Sequence, residues 1–444
     1  MRAKKVVKRI FWPLERFLQL EAASGFVLLA ATAIALIWAN SPWHESYFSI
    51  WEYKLGLSIG SERFERDLHF WINDGLMTFF FFVVGLELRR ELVQGELSEF
   101  KRATLPLMAA IGGMLAPALI YFFFNQGLPS VRGWGIPMGT DTAFALGILA
   151  IIGKRVPPPA RILLLGLAVM DDVGGVLVIA FFYSSGIKLA GLVAAFVAFV
   201  LVLAMQNMGV RKIWPYLIPG ALMWAGIYYA GIHPTLAGVA LGFLTPAVAG
   251  YTPAKILELS KPYRQKLVEL SQEKNPSTET MMSLFFSLHE VYREGLSFVD
   301  QLIQKLHGTV AYIIMPLFAL ANAGVILGGV DFSGDSQKLF LGVALGLVLG
   351  KPFGIFLACF LGIRLGFSKM PTGMNFKTIA LVGMVSGIGF TMALFIAQLA
   401  FPSGMDLETT KQAVLSASLV AAVVSLLIGF LGKHNIQPTE ANEA

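Results

Sequence analysis

Apolar runs long enough to cross a bilayer recur along this chain, and that feature removes most folds from consideration. A spanning helix needs about 20 mostly apolar residues. Such runs lie near residues 22–40, 69–88, 104–124, 134–153, 162–183, 187–206, 214–230, 232–249, 308–329, 339–363, 377–400 and 412–432, twelve in all. A large soluble helical protein would need charged outer faces on these segments, and they have none. Of 444 residues, 56% are hydrophobic and 14% charged, against roughly 25% charged in soluble domains. The expected fold is all-α, a multi-pass membrane protein with twelve transmembrane helices. The single cysteine, Cys359, lies in an apolar run, so no intrachain disulfide is possible. No small-residue cleavage site follows GFVLLAATAIALIWAN, so a retained first helix is expected instead of a signal peptide.

Positive charge sets the topology. The termini and the loops on their side hold 26 Lys and Arg, the opposite loops hold 7, and Lys351 stands alone inside a run. Short basic loops stay cytoplasmic, so both termini are expected there. The net charge of +6 is a topology signal and not a nucleic-acid footprint. Residues 1–21 then form a cytoplasmic N-terminal segment, 22–432 the membrane domain and 433–444 a cytoplasmic tail. Within the domain, 251–307 is one long cytoplasmic segment. There Leu284, Leu288, Val291, Phe298, Leu302 and Leu306 recur at helical spacing, which suits an interfacial amphipathic helix or a connector. The first outer loop alternates apolar and polar residues around Lys54–Gly60, as a small β-hairpin would.

Two stretches look unlike ordinary spanning helices. GIPMGTDTAFALG (135–147) and GMVSGIGFTMALF (383–395) put Gly, Thr and Ser at mid-run. In lipid a broken backbone survives only buried in protein or lining water, and paired interrupted helices in two halves point to a transporter's binding site. Aligned directly, the stretches share few residues, among them Gly139/Gly387, Ala145/Ala393, Leu146/Leu394 and, just beyond them, Ile148/Ile396. Separately, Gly342, Gly346, Gly350 and Gly354, spaced by four, give one run a flat face for close packing.

The charges within the runs carry the functional signal, because each costs at least ~2.5 kcal/mol at a bilayer centre. Asp171 lies ten residues past Arg161, about 15 Å along a helix and near the middle of a roughly 30 Å core. Asp172 beside it points about 100° away, so one carboxylate can face a cavity while the other meets a counter-charge. Lys351 is the only Lys or Arg away from the ends of a run, and Pro352 after it should disturb its helix. Asp74, Asp141, Asp171 and Asp172 outnumber it four to one. Surplus carboxylates in a dry setting must be protonated, hydrated or occupied by a cation. Hard cations take oxygen ligands, and Thr140, Asp141, Thr142 and Asp172 offer them. Asp74, next to Asn73, is an accessory candidate. His233 reads as an interfacial residue. Glu87, Arg90 and Glu91 form a charged cluster at a helix end, either a solvated flank or a pH-responsive mouth.

An intramembrane aspartyl protease would also need two buried aspartates, but neither of its motifs occurs, and adjacent aspartates splay apart. A symporter for an organic solute would need more polar lining at mid-span. The reading that remains is a cation site that also carries protons, with no cofactor and no enzyme activity.

GTDTAFALG, MDDVGG, WINDGLM, VGLELRREL, GIHPTLAGV, PLFALANAG, GKPFGI and SGIGFTMALFIAQLAF together resemble the bacterial NhaA-type sodium/proton antiporters, over about residues 20 to 430. The resemblance implies inverted repeats, with two broken helices crossing at mid-membrane. It implies electrogenic, pH-regulated exchange of sodium or lithium for protons across the inner membrane of a bacterium. Asp172 is then the main sodium ligand, aided by Asp171, with Asp141 and Lys351 balancing charge at the crossing. Glu87, Arg90 and Glu91 fall on pH-sensing positions, and the outer hairpin would join a homodimer. The segment 251–307 is longer than the resemblance leads one to expect.

Overall fold

The structure, a computed structural model, describes residues 23–59, 62–184, 186, 188–210, 213–272, 277–328 and 334–431. The expected segments 1–21 and 433–444 lie outside the described residues. Helix α1 (Ala23–Ala39) turns back by 118° into α2 (His44–Trp51). Strands β1 (Lys54–Ile59) and β2 (Glu62–Asp67) form the anticipated antiparallel hairpin, with Lys54 opposite Asp67. Then follow α3 (Leu68–Gln94) and α4 (Phe100–Asn125), and a 3-10 helix, Pro129–Met138, that breaks into α5 (Thr142–Ile152). After these come α6 (Pro158–Phe182), α7 (Leu189–Asn207), α8 (Leu217–Tyr229) and α9 (Leu236–Leu244). The pair α10 (Pro253–Gln272) and α11 (Thr278–Arg293) leads to α12 (Phe298–Asn322) and α13 (Gly334–Arg364). The chain closes with α14 (Phe376–Ser386), α15 (Phe390–Ala400) and α16 (Met405–Leu431).

Seven of these helices are long and apolar enough to cross a membrane alone, and three bent pairs raise the set to ten. The apolar runs at 214–230 and 232–249 become α8 and α9, which are too short to join it. The order long, long, broken, long occurs twice: α3, α4, the 129–152 pair and α6, then α12, α13, the 376–400 pair and α16. The two copies run in opposite senses. Asn73, near the start of α3, is bonded to Asn322 at the end of α12.

Packing follows from small residues. Gly354 of α13 meets the Gly112 carbonyl of α4, and Gly350 lies over Pro117, with its virtual Cβ 2.9 Å from the Pro117 Cα. Side chains there would hold the two helices apart, so the glycine face does what its spacing suggests. Pro352 is accommodated by a π turn, Gly346–Gly350, immediately before Lys351. A second π turn, Val310–Ile314, precedes Pro316 in α12. A widened turn relieves the clash of a proline ring with the preceding carbonyls.

The 251–307 segment differs from the single amphipathic helix its spacing suggests. Helix α11 ends at Arg293, and Ser297 caps α12 by accepting a hydrogen bond from the Asp300 N–H at 3.1 Å. Leu284 and Leu288 pack on Leu270 of α10. Phe298 and Leu302 instead join Leu86 of α3 and Ala247, just past the end of α9. The Gly295 break divides one apolar stripe between two partners. At the other end, the Tyr47 hydroxyl donates to the Leu320 carbonyl at 2.7 Å, tying α2 to the end of α12.

Candidate functional site

The two broken pairs bend by 43° and 47°, at residues 139–141 and 387–389, within the stretches that the sequence marks. They cross at these breaks. The Asp141 N–H donates to the Ile388 carbonyl at 2.8 Å, and the Thr140 hydroxyl to the Ser386 carbonyl at 3.1 Å. Gly139 permits the approach: a Cβ there would lie 2.9 Å from the Cβ of Met392 and 3.2 Å from the Ala393 nitrogen.

A crossing of broken helices exposes orphan backbone groups and the partial charges of helix ends. Asp141 meets both helix N-termini. One carboxylate oxygen accepts from the Phe144 N–H of α5 at 2.9 Å, the other from the Thr391 N–H of α15 at 3.3 Å and the Thr391 hydroxyl at 2.5 Å. Lys351 serves a C-terminal end, donating to the Met138 carbonyl. Its ammonium also lies 2.6 Å from Asp171 Oδ2, and both groups are fully buried. That same oxygen accepts the Thr140 hydroxyl at 2.6 Å. Asp171 is thus committed to Lys351 and Thr140 through Oδ2, while its Oδ1 has no hydrogen-bond partner among the described residues.

Asp172 is placed otherwise. It lines a cavity of about 520 Å³ together with Thr140, Asp141, Thr142 and Thr391. Among the described residues no hydrogen bond to its carboxylate is found. The same cavity reaches Glu87, Arg90, Glu91 and His307 at the ends of α3 and α12, where Arg90 lies 3.8 Å from Glu91 and both are partly exposed. The aspartate pair therefore divides its work as the 100° between neighbours requires. One member is in an ion pair, and the other faces a route to the surface.

Asp74 lies elsewhere, 3.1 Å from His233, so this histidine is a partner and more than an interfacial residue. Asn73 joins a buried group of amides with Asn322 and Gln398. Sequence reasoning missed Thr391, Ser386, His307 and Gln398. Thr391 had a signal, since it is the polar residue of the second break, as Thr140 is of the first. Lys351 is also not the only lysine within a spanning helix. Lys411, outside the apolar run at 412–432, belongs to α16, is 7% exposed and lies 3.5 Å from Glu408. Hydropathy alone trimmed the polar first turns of that helix. Among the described residues no three His, Cys, Asp or Glu side chains converge as a resident metal site would require.

A bundle of membrane-spanning helices in two inverted halves, with broken helices crossing over buried carboxylates, has the build of a secondary transporter. The family described as Na+/H+ antiporter 1 matches residues 15–428, and this chain belongs to it; the family is itself a type case of that inverted-repeat build. The chain is 50% identical to the Na(+)/H(+) antiporter NhaA 2 of Sorangium cellulosum, over 99% of this chain and 94% of that one. It is 48% identical to the Na(+)/H(+) antiporter NhaA 2 of Myxococcus xanthus, over 94% and 88%. It is 46% identical to the Na(+)/H(+) antiporter NhaA of a Janthinobacterium strain, over 99% and 97%.

Proposed function

We infer that this protein exchanges sodium, or lithium, for protons across the cytoplasmic membrane of a bacterium and so serves sodium and pH homeostasis. The observation that carries the reading is the Asp172 carboxylate, which faces a cavity beside a neighbour already paired with Lys351. Family membership supports sodium as the cation. Asp172 is the first ligand, with the free oxygen of Asp171 and the hydroxyl of Thr140 as further ones. A proton and a sodium ion compete for one carboxylate, because neutralising a buried charge by either route relieves the same desolvation cost. Coupling follows from that competition.

Asp141 and Lys351 hold the crossing together, one at the N-terminal ends and one at the Met138 carbonyl. When sodium draws on Asp171, Lys351 loses its partner, and a proton leaving this second group makes the exchange electrogenic. The excess of basic residues on the side of the termini supports a cytoplasmic mouth for the cavity and cytoplasmic termini. Glu87, Arg90 and Glu91 at that mouth are then placed to respond to cytoplasmic pH. Among the described residues no third strand pairs with the hairpin, and a free strand edge is a ready means of joining a second copy, which supports a homodimer. Asn73 and Asp74 are accessory to the ion path.

The test is uptake of labelled sodium into proteoliposomes of the purified protein, driven by a pH gradient with no other solute. Uptake that collapses the pH gradient and generates a membrane potential is expected. Sodium movement that needs an organic solute, or that proceeds without proton movement, would contradict exchange.

A further inference from the structure

Between the crossing and the hairpin end of the molecule, three helices carry the same order of side chains. On α15, Thr391, Phe395 and Gln398 are spaced as one helical face. Thr391 binds Asp141, Phe395 is buried, and Gln398 lies in the amide group. On α12, Met315 lines the cavity, Phe318 is buried and Asn322 is in the amide group. On α3, Val84 lines the cavity, Phe81 is buried and Asn73 is in the amide group. The three phenyl rings meet, with Phe395 centred 5.2 Å from Phe81 and 6.2 Å from Phe318. Seven residues of helix put Gln398 about 10 Å beyond Thr391.

The amides close on one another. Asn322 Nδ2 donates to Asn73 Oδ1 at 2.8 Å, Asn73 Nδ2 donates to Gln398 Oε1 at 2.5 Å, and Gln398 Nε2 donates to Asn322 Oδ1. Each carbonyl oxygen is thus occupied by a neighbour's N–H, in a ring of three hydrogen bonds. His69 stands beside it, with a ring nitrogen 3.1 Å from Asn73 Nδ2.

We propose that Asn73, Asn322 and Gln398 form a second station for the transported cation, on the hairpin side of the crossing, closed off from Asp172 by Phe81, Phe318 and Phe395. Three neutral oxygens suit a partly dehydrated sodium or lithium ion, which takes oxygen ligands. Without a carboxylate they hold it weakly enough to let it go, as a transit site must. The hydrogen-bonded ring is the closed form. Turning the amides inward exchanges N–H···O bonds for O···cation contacts and opens the route past Phe395. This rests on the exchange reading and adds the residues of the outer half of the path.

The experiment compares sodium presented at each face, in proteoliposomes sorted by orientation. For Gln398→Leu the KM for sodium at the hairpin face is expected to rise ~10-fold, while that at the cavity face stays within about 2-fold. Gln398→Glu, which adds charge at the same oxygen, should lower the hairpin-face KM. Asn322→Leu should behave as Gln398→Leu does; if it does not insert, the less buried Gln398 carries the comparison. A variant that melts earlier but shifts KM equally at both faces, or at neither, would show that the ring is only a structural lock and overturn the proposal. Failure of the wild type to exchange in the same vesicles would instead sink the antiporter reading.

Discussion

Of the two aspartates, only one is expendable to the fold. Asp172 faces the cavity, so Asp172→Asn should leave a folded protein. Exchange should nonetheless fall at least ~100-fold, about 2.7 kcal/mol on the affinity scale, because an amide neither takes up a proton nor balances a cation. Sodium uptake and thermal unfolding on the same preparation check both halves. Asp141→Asn should be milder, since its amide oxygen can still accept from Phe144, and a drop of ~10-fold is expected. Asp171 and Lys351 behave as a unit. Lys351→Gln leaves a buried carboxylate without its charged partner and should cost about 3–5 kcal/mol of stability. Lys351→Gln combined with Asp171→Asn removes both charges and should recover most of that loss, as a double-mutant cycle would reveal. Equal destabilisation in the single and double variants would mean that the ion pair does not hold the crossing.

At the scale of elements, glycine decides where helices touch. A Cβ on Gly354 would collide with the Gly112 carbonyl across α4 and α13, whereas one on Gly147 meets nothing within 4 Å. Gly354→Ala should therefore lower stability by about 1–3 kcal/mol, as overpacking does. Gly147→Ala, within a helix, should be neutral or stabilising by about 0.5–1 kcal/mol. Detergent-solubilised melting curves of the two variants separate packing from propensity. This face was legible beforehand, because spacing by four is a property of the sequence alone. So were the two breaks, marked by Gly139 and Gly387, and the pairing of Lys351 with one aspartate, forced by the scarcity of positive charge. What could not be read were contacts that depend on where distant helices land. Thr391 reaches Asp141 across 250 positions and Gln398 reaches Asn73 across 325, and no local pattern encodes either. The end of α11 at Arg293 was missed for a different reason: Leu284 to Leu306 keep one helical spacing across the break, so periodicity ran straight through it.

For the molecule as a whole, the proposed sharing of one site by two ions would make affinity depend on pH. A proton held at Asp172 would have to leave before sodium binds, so apparent sodium affinity should rise as pH rises. The limit is about tenfold per pH unit for each proton displaced, flattening once the carboxylates have lost their protons. Sodium-dependence curves at a series of pH values test this, and an affinity constant across the acid side would exclude a shared site. The span of the contacts at the crossing also bears on how the chain is made. Lys351 reaches Asp171 from 180 positions later, and the Ser386 carbonyl receives Thr140 from 246 positions earlier. Chains are synthesised from the N-terminus, so Asp141, Asp171 and Asp172 enter the bilayer before the lysine that pairs with one of them exists. Until then the half-made protein carries carboxylates with no counter-ion in lipid, where such groups are expensive. A chain ending near residue 330 should accordingly be a poor membrane protein, quickly degraded in pulse-chase labelling. The same fragment with Asp171→Asn and Asp172→Asn should persist longer, so the residues that equip the finished protein for transport are a liability to its own nascent chain.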